Sequence, residues 1–419
     1  MKLNKFIYSF EDNKTHNIYT IMGLKFKFRK GRFETKFKRK EKPCDVGIIS
    51  FNINTDVSNY GAALHSYALQ KFLNKKGVDN VIINYYPESV KFTSKYIQIY
   101  EDIKNKQYSE VFYKLQNLYY MYIKKIMFYK FFKKHCKITK YRYEIDTLYQ
   151  LKNINRFICN TDVTWCKFKM GGFDRGFLCD LPNMKKKDNV AYSVDIGAQE
   201  LSDKKKKALK KYAKNFKYLS FRNIFRLEEI KEVIERDDAV ITIDPTLLLN
   251  EEDYKEIIKK PKDTEFVFVY NCKENDDEMV KKASEYAKLQ NLPLKIINCY
   301  DKNITNLKNS YPTPNSIEEF LGYIKYCKYF FTNSYHGICF AILFKTNFCC
   351  FSRKANNDKI LTLLELFNLQ DRLYRLDNIP SKNIDYDNLE NLLKVLRQSS
   401  EDFIKKSIIN EVQNEKGNC

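Results

Sequence analysis

The stretch of this chain best suited to chemistry is Thr332-Asn333-Ser334-Tyr335-His336-Gly337. His336 is one of only four histidines. Before it, the aromatic run Tyr329 to Phe331 reads as a buried strand. After it, the apolar run resuming at Gly337 reads as a helix. Open α/β sheets place ligands at such strand-to-helix turns, where a helix N-terminus presents unpaired N–H groups. Histidine is also the side chain best suited to move a proton near neutral pH. On spacing alone, capping a helix or filling a polar niche explains His336 equally well. Arg222 follows another short strand, Tyr218 to Phe221. A guanidinium fixed there can hold a carboxylate or phosphate through two parallel bonds, although a surface ion pair is the plainer reading. Asp162 and the only tryptophan, Trp165, follow the strand Phe157-Ile158-Cys159. An acid beside an indole plane suits a sugar. The turn Asn59-Tyr60-Gly61 can offer backbone N–H groups to an anion at the start of a helix. His65, in that helix, reads as packing.

These residues need alternating strands and helices to hold them, and the chain supplies two such series. The first opens with the apolar run Asp45 to Phe51. A stretch of helical period from Tyr60 follows, with Gly77 as its stop, and then the strand Val81 to Tyr85. No GxGxxG links strand to helix, so a dinucleotide fingerprint is absent. Residues 91–145 are dense in Tyr, Phe and Lys, and the spacing of Leu115, Leu118, Tyr119, Tyr122 and Ile126 predicts two or three inserted amphipathic helices. Asp244-Pro245-Thr246 closes the first series. The second contains the strand Glu265 to Tyr270, a helix from Asp276 to Gln290, and a capping box at Ser316 and Glu319. After it come the His336 turn, the strand Asn347 to Phe351 and a helical segment, Leu389 to Val412. The expected fold class is α/β, with two Rossmann-like domains facing across a cleft. The expected divisions are a basic arm over residues 1–44, a first domain over 45–249 with the insertion, and a second over 250–419 with a C-terminal helix.

Composition narrows the function classes. The formal charge is +22, from 74 Lys and Arg against 52 Asp and Glu. Residues 1–44 alone hold 13 basic and 4 acidic residues. No nucleic-acid-binding module accompanies that excess, so nucleic acid is not expected as a partner. An anionic membrane surface or an acidic substrate fits it. The alternation of apolar and basic residues from Leu24 to Arg29 favours an extended strand or hairpin. The twelve cysteines include no CxxC pair, which leaves zinc-ribbon and thioredoxin-like readings without support, and no metal site is expected. Scattered cysteines in apolar runs fit a reduced, cytoplasmic compartment. No apolar run approaches the ~20 residues needed to span a bilayer, and no signal-peptide pattern is seen.

Taken in order, six stretches resemble the bacterial polysaccharide pyruvyltransferase family. They are Gly47 to Phe51 with Asn59 to Gln70; Asn160 to Trp165; Phe173 to Pro182; Ser220 to Asn223; Asp244 to Leu249; and Thr332 to Gly337 with Asp371-Arg372-Leu373. Two places depart from the family pattern. Many relatives have Gly-Ser-Asp-Gln-x-Trp where this chain has Asn160 to Trp165, and Asp195 stands where a small hydroxyl is usual. The resemblance implies a GT-B-like fold and no cofactor. It also implies transfer of pyruvate from phosphoenolpyruvate to a sugar or lipid-linked glycan, in the cytoplasm or at the inner face of the plasma membrane. It gives His336 the role of proton donor or phosphate ligand. Ser334, Tyr335 and Gly337 would help bind the donor, and Arg222 would clamp an anionic group. Asn59, Tyr60, Gly61, Asp162 and Trp165 would line the acceptor side, with Asp162 as a base. A nucleotide-sugar glycosyltransferase and a catalytically inactive glycan-assembly scaffold are the alternatives.

Overall fold

The computed structural model describes residues 8–12, 16–21, 24–29, 40–51, 59–87, 108–160, 164–165, 173–185, 187–197, 200–272, 277–298, 315–353, 357–375 and 378–417. The chain forms two compact units, one of residues 1–40 with 92–116 and one of the remainder. In the smaller unit, strands β1 (Tyr8–Asp12), β2 (His16–Ile21) and β3 (Leu24–Arg29) pair antiparallel in that order. The period-2 stretch from Leu24 to Arg29 is therefore a strand, as its alternation requires.

The larger unit contains two parallel sheets. The first has the order β5-β4-β6-β7-β8-β9, from β4 (Cys44–Ile49), β5 (Asn80–Ile82), β6 (Ile154–Asn160), β7 (Val190–Val194), β8 (Tyr218–Phe221) and β9 (Val240–Ile241). The second has the order β11-β10-β12-β13, from β10 (Val267–Asn271), β11 (Leu294–Asn298), β12 (Tyr329–Thr332) and β13 (Phe348–Cys350). Central strands are apolar on both faces because helices cover both sides. The helices are α1 (Tyr60–Lys75), α2 (Tyr108–His135), α3 (Asp203–Ala213), α4 (Leu227–Ile234), α5 (Pro245–Leu248) and α6 (Glu251–Tyr254), then α7 (Asp277–Leu289), α8 (Ile317–Tyr326), α9 (Tyr335–Leu343), α10 (Asp358–Leu366), α11 (Tyr386–Ile404) and α12 (Asn410–Gly417). The fold class is the one expected, α/β with two Rossmann-like parallel sheets. Both sheets reverse strand order beside their first strand, between β4 and β6 and between β10 and β12. Ligands of open parallel sheets bind at the carboxyl side of such a reversal.

Several local signals act as read. Gly77 adopts φ +75° just past α1, a left-handed position that glycine takes without strain. Ser316 and Glu319 form a reciprocal capping box on α8. Within 91–145 the described residues hold one long helix, α2; residues 91–107, where a further inserted helix was expected, lie outside the described set. α1 is buried nearly all round, which fits a helix between layers rather than on a surface. The C-terminal helices return to the first sheet: Ser400 Oγ accepts from Ile243 N at 3.0 Å, and Glu415 pairs with the fully buried Arg156. No helix among the described residues is long and apolar enough to cross a membrane.

Candidate functional site

The site is built from the carboxyl ends of both sheets. At the second sheet's reversal, Asn333 accepts a hydrogen bond from Cys272 N (2.6 Å) and donates to Asn271 Oδ1 (3.2 Å), tying the end of β12 to the end of β10. Ser334 then caps α9, its Oγ accepting from Gly337 N at 3.2 Å. A side chain at Gly337 would press on Thr332 Oγ1, so the turn closes tightly only with glycine there. His336 thus enters in the first turn of α9, almost fully buried.

From the first sheet comes Asp244, which caps α5. Its Oδ1 accepts from Thr246 N (3.0 Å) and Thr246 Oγ1 (2.8 Å), and Pro245 occupies the first helical position. The other oxygen, Oδ2, lies 3.4 Å from His336 Nε2 and 3.6 Å from Arg222 Nη1. These are ion-pair distances rather than directed hydrogen bonds. Burial opposes the charge on Asp244, but attraction to His336, Arg222 and His65 outweighs it and holds the carboxyl well below its usual range.

Arg222 follows β8, as expected, and its guanidinium is already engaged. Its Nε and Nη2 both donate to Asp195 Oδ2, at 2.9 and 2.8 Å. A bulge in β7 with Ser193 at φ +51° turns the strand just before Asp195. Such a bulge re-aims the side chains beyond it, and the left-handed residue costs on the order of 1–3 kcal/mol. Asp195 Oδ1 is held by Gly197 N at 2.7 Å. Burial opposes ionisation of Asp195 as well, yet Arg222, Lys359 and that N–H keep its carboxyl below the ordinary value. The acid noted as a departure from the family pattern is therefore the partner of Arg222. Two carboxylates share this guanidinium, so the residue expected to clamp an anionic group already faces Asp195 and Asp244.

The turn opening α1 meets the same place. Asn59 Oδ1 accepts from Gly61 N at 2.9 Å, and a methyl group at Gly61 would stand 2.1 Å from His336 Nδ1. The imidazole rests against bare backbone there. Four residues on, His65 lies with its ring 5.9 Å from that of His336, and its Nδ1 is 3.1 Å from Asn160 Nδ2 at the first sheet's reversal. The packing role read for His65 is too narrow, since it contributes to the site's electrostatics. Tyr60 is a packing residue: its ring stacks on Phe320 at 4.3 Å and its hydroxyl donates to Asn315 O. The Trp165 indole is enclosed by Phe216 and Phe221, so only its backbone, bonded to Asp195 O at 3.3 Å, borders the site. Neither side chain is available to an acceptor, contrary to expectation. Asp162 lies outside the described residues.

Two cations were not anticipated. Lys359, on the first turn of α10, lies 5.9 Å over the Tyr335 ring, with Arg222 4.8 Å from the same ring. Arg353, three residues past β13, is 7% exposed. The other buried arginines (Arg156, Arg222, Arg226 and Arg372) each pair with a carboxylate. No ion pair or side-chain hydrogen bond is found for Arg353 among the described residues, and its buried Nε has no partner. Its backbone N–H donates to Asn357 Oδ1, at the start of α10. A buried guanidinium without a counter-ion costs several kcal/mol, in order of magnitude, unless an anion supplies one. No motif flagged either cation, because each follows a loop whose course only the fold reveals.

A family model described as polysaccharide pyruvyl transferase matches residues 59–355. No curated protein matches the chain by sequence. Among solved structures, a UDP-GlcNAc 2-epimerase from Methanocaldococcus jannaschii is similar at 12% identity, covering 84% of this chain and 91% of that one, with a TM-score of 0.46. A UDP-N-acetylglucosamine 2-epimerase from Rickettsia bellii shows 9% identity, 87% and 99% coverage and a TM-score of 0.38. Identities this low carry no information about substrate.

The geometry sets two expected outcomes. Gly61→Ala forces the imidazole off its seat and is expected to lower turnover about 100-fold, as for a catalytic group misplaced by ~1 Å, with only a small shift in urea midpoint. Asp195 and Asp244 both have depressed carboxyl values, so their stabilisation is present above the ordinary 3.8 and is lost as pH falls below it. Asp195→Asn is expected to lose about 3–5 kcal/mol in urea unfolding at pH 7, because Arg222 stays buried without its partner, and to show a flatter decline between pH 5 and 3.

Proposed function

We propose that this chain, which belongs to the polysaccharide pyruvyl transferase family, moves pyruvate from phosphoenolpyruvate onto two hydroxyls of a sugar. The product is a ketal on a surface polysaccharide or its precursor. The observation that supports this most is the buried Asp244 carboxylate, with His336 and Arg222 both near its Oδ2. Asp244 places a negative charge 3.4 Å from the imidazole Nε2.

The chemistry asks for a proton at the methylene carbon of the donor. Protonation there leaves an oxocarbenium-like centre at the carbon bearing phosphate. One sugar hydroxyl attacks it, phosphate leaves with the C–O electron pair, and a second hydroxyl closes the ketal. The two hydroxyls give up two protons: one replaces the proton delivered to carbon, and the other leaves with phosphate as hydrogen phosphate. His336, beside Asp244 in the first turn of α9, is the proton donor in this scheme. Donor phosphate and carboxylate need positive charge. Arg222 already faces Asp195 and Asp244, so Arg353 supplies positive charge, with Lys359 nearby over the Tyr335 ring. Ser334, Tyr335 and Gly337 shape the floor at the start of α9, and Asn59 and Gly61 back the imidazole. Asp162 remains the proposed base toward the sugar hydroxyl.

No metal or cofactor enters this scheme. The reaction is placed in the cytoplasm, in keeping with nine described cysteines that are all free.

Phosphate release from phosphoenolpyruvate, with lipid-linked and nucleotide-linked sugars as acceptors and mass analysis of the product, tests the proposal. The expected product carries the increment of one ketal-linked pyruvate. His336→Gln is expected to lower turnover by about 100-fold or more, and Arg353→Met to raise the donor KM. A hexose increment, or His336→Gln with normal turnover, contradicts it.

A further inference from the structure

Away from this site, the exposed face of α2 has a composition the proposed chemistry does not use. From Tyr119 to His135 the helix has five lysines and no acidic residue. Three of the eight exposed large hydrophobic side chains among the described residues lie here: Tyr119 at 62%, Tyr122 at 64% and Tyr129 at 46% exposure. At 100° per residue these tyrosines fall on one face with the exposed Lys130, Lys133 and Lys134. The opposite face is the packed one, through Phe128, Phe131 and Phe132 in the core.

Some lysines elsewhere on this surface are matched to carboxylates, among them Lys75 with Asp253, Lys76 with Glu401, Lys137 with Asp79 and Lys345 with Glu390. Among the described residues the exposed Lys204, Lys206 and Lys207 of α3 are not, but no exposed large hydrophobic side chain stands with them, so the combination of lysines and exposed tyrosines sets α2 apart. Lys130, Lys133 and Lys134 make no ion pair among the described residues. The acids nearest the helix's C-terminal end are Glu256 and Glu318. They share a groove with Lys130 and Lys134, and Glu318 stands 3.7 Å from His135 Nε2. Among the described residues the tyrosine-bearing part of the face is thus net positive.

We propose that this face of α2 seats the protein on an anionic lipid surface. Tyrosine suits the headgroup region because its ring is apolar and its hydroxyl is polar. Lysines interleaved with such rings complement negatively charged headgroups, as on helices that lie in the plane of a membrane. The contact is peripheral, since no described helix can cross a bilayer. A nucleic acid would use the lysines but gives three tyrosines on a continuous helix face no duplex edge to stack on. The inference does not depend on the donor or acceptor proposed above.

The test is flotation of the full chain with vesicles of phosphatidylcholine alone and with 30 mol% phosphatidylglycerol, together with binding to double-stranded DNA. Binding is expected only with phosphatidylglycerol and is expected to weaken in high salt. Neutralising Lys130, Lys133 and Lys134 to Gln is expected to weaken it about 100-fold, from roughly fivefold per lysine. Tyr119→Ser, Tyr122→Ser and Tyr129→Ser together are expected to weaken vesicle binding while leaving DNA binding unchanged. All six positions are exposed, and an unchanged melting temperature confirms that each variant folds. Vesicle binding that survives both sets of substitutions overturns the proposal and assigns attachment to another basic segment. Loss with the lysine set on vesicles and DNA alike, with no effect of the tyrosine set, overturns it in favour of general polyanion binding.

Discussion

A carboxylate with no exposure stays ionised only if cations stand beside it, and Asp244 meets that condition with residues from both sheets. Arg222 comes from the end of β8, and His336 from the turn after β12. Removing either leaves a buried charge short of its partner. Much of the local architecture serves this contact. α5 exists as a short capped turn that fixes the carboxylate, and the bulge in β7 aims Asp195 at the far edge of Arg222. Gly61 leaves the space in which the imidazole rests.

This arrangement separates two tasks that the sequence had assigned to one residue. Arg222 is held by Asp195 on one edge and faces Asp244 with another group, so its first task is to keep two buried acids ionised. The charge that the proposed anionic donor would need then falls to another cation. Arg353, for which no counter-ion is found among the described residues, fits that need, since a buried guanidinium without a counter-ion is a cost the fold bears only where something compensates it. Tyr335 lies near both Arg222 and Lys359, which places its aromatic face beside two cations.

The fold was legible because it rests on local signals. Apolar runs bounded by polar turns gave the parallel strands. Gly77 and the Ser316 capping box marked helix ends, and the two series of alternating elements gave two sheets. His336, Arg222 and the Asn59–Gly61 turn were legible for the same reason, each following a recognisable strand or opening a helix. The misses share a different cause. Tyr60 and Trp165 are aromatic residues next to polar turns, and sequence alone does not say whether such a ring faces a ligand or the core; both face the core. His65 sits on a helix buried on nearly every side, so its spacing carried no sign of the second histidine across from it. Lys359 and Arg353 gain meaning only from what surrounds them, and surroundings are invisible in one dimension.

The claim that Asp244 and His336 act as a single unit is tested most directly by a double-mutant cycle on phosphoenolpyruvate affinity. Calorimetry on the unsubstituted chain, Asp244→Asn, His336→Gln and the double variant gives the four dissociation constants. A unit predicts that the double variant binds no more weakly than the weaker single variant, because the second substitution removes nothing that the first left intact. Losses that multiply would show two groups acting independently and would contradict the account.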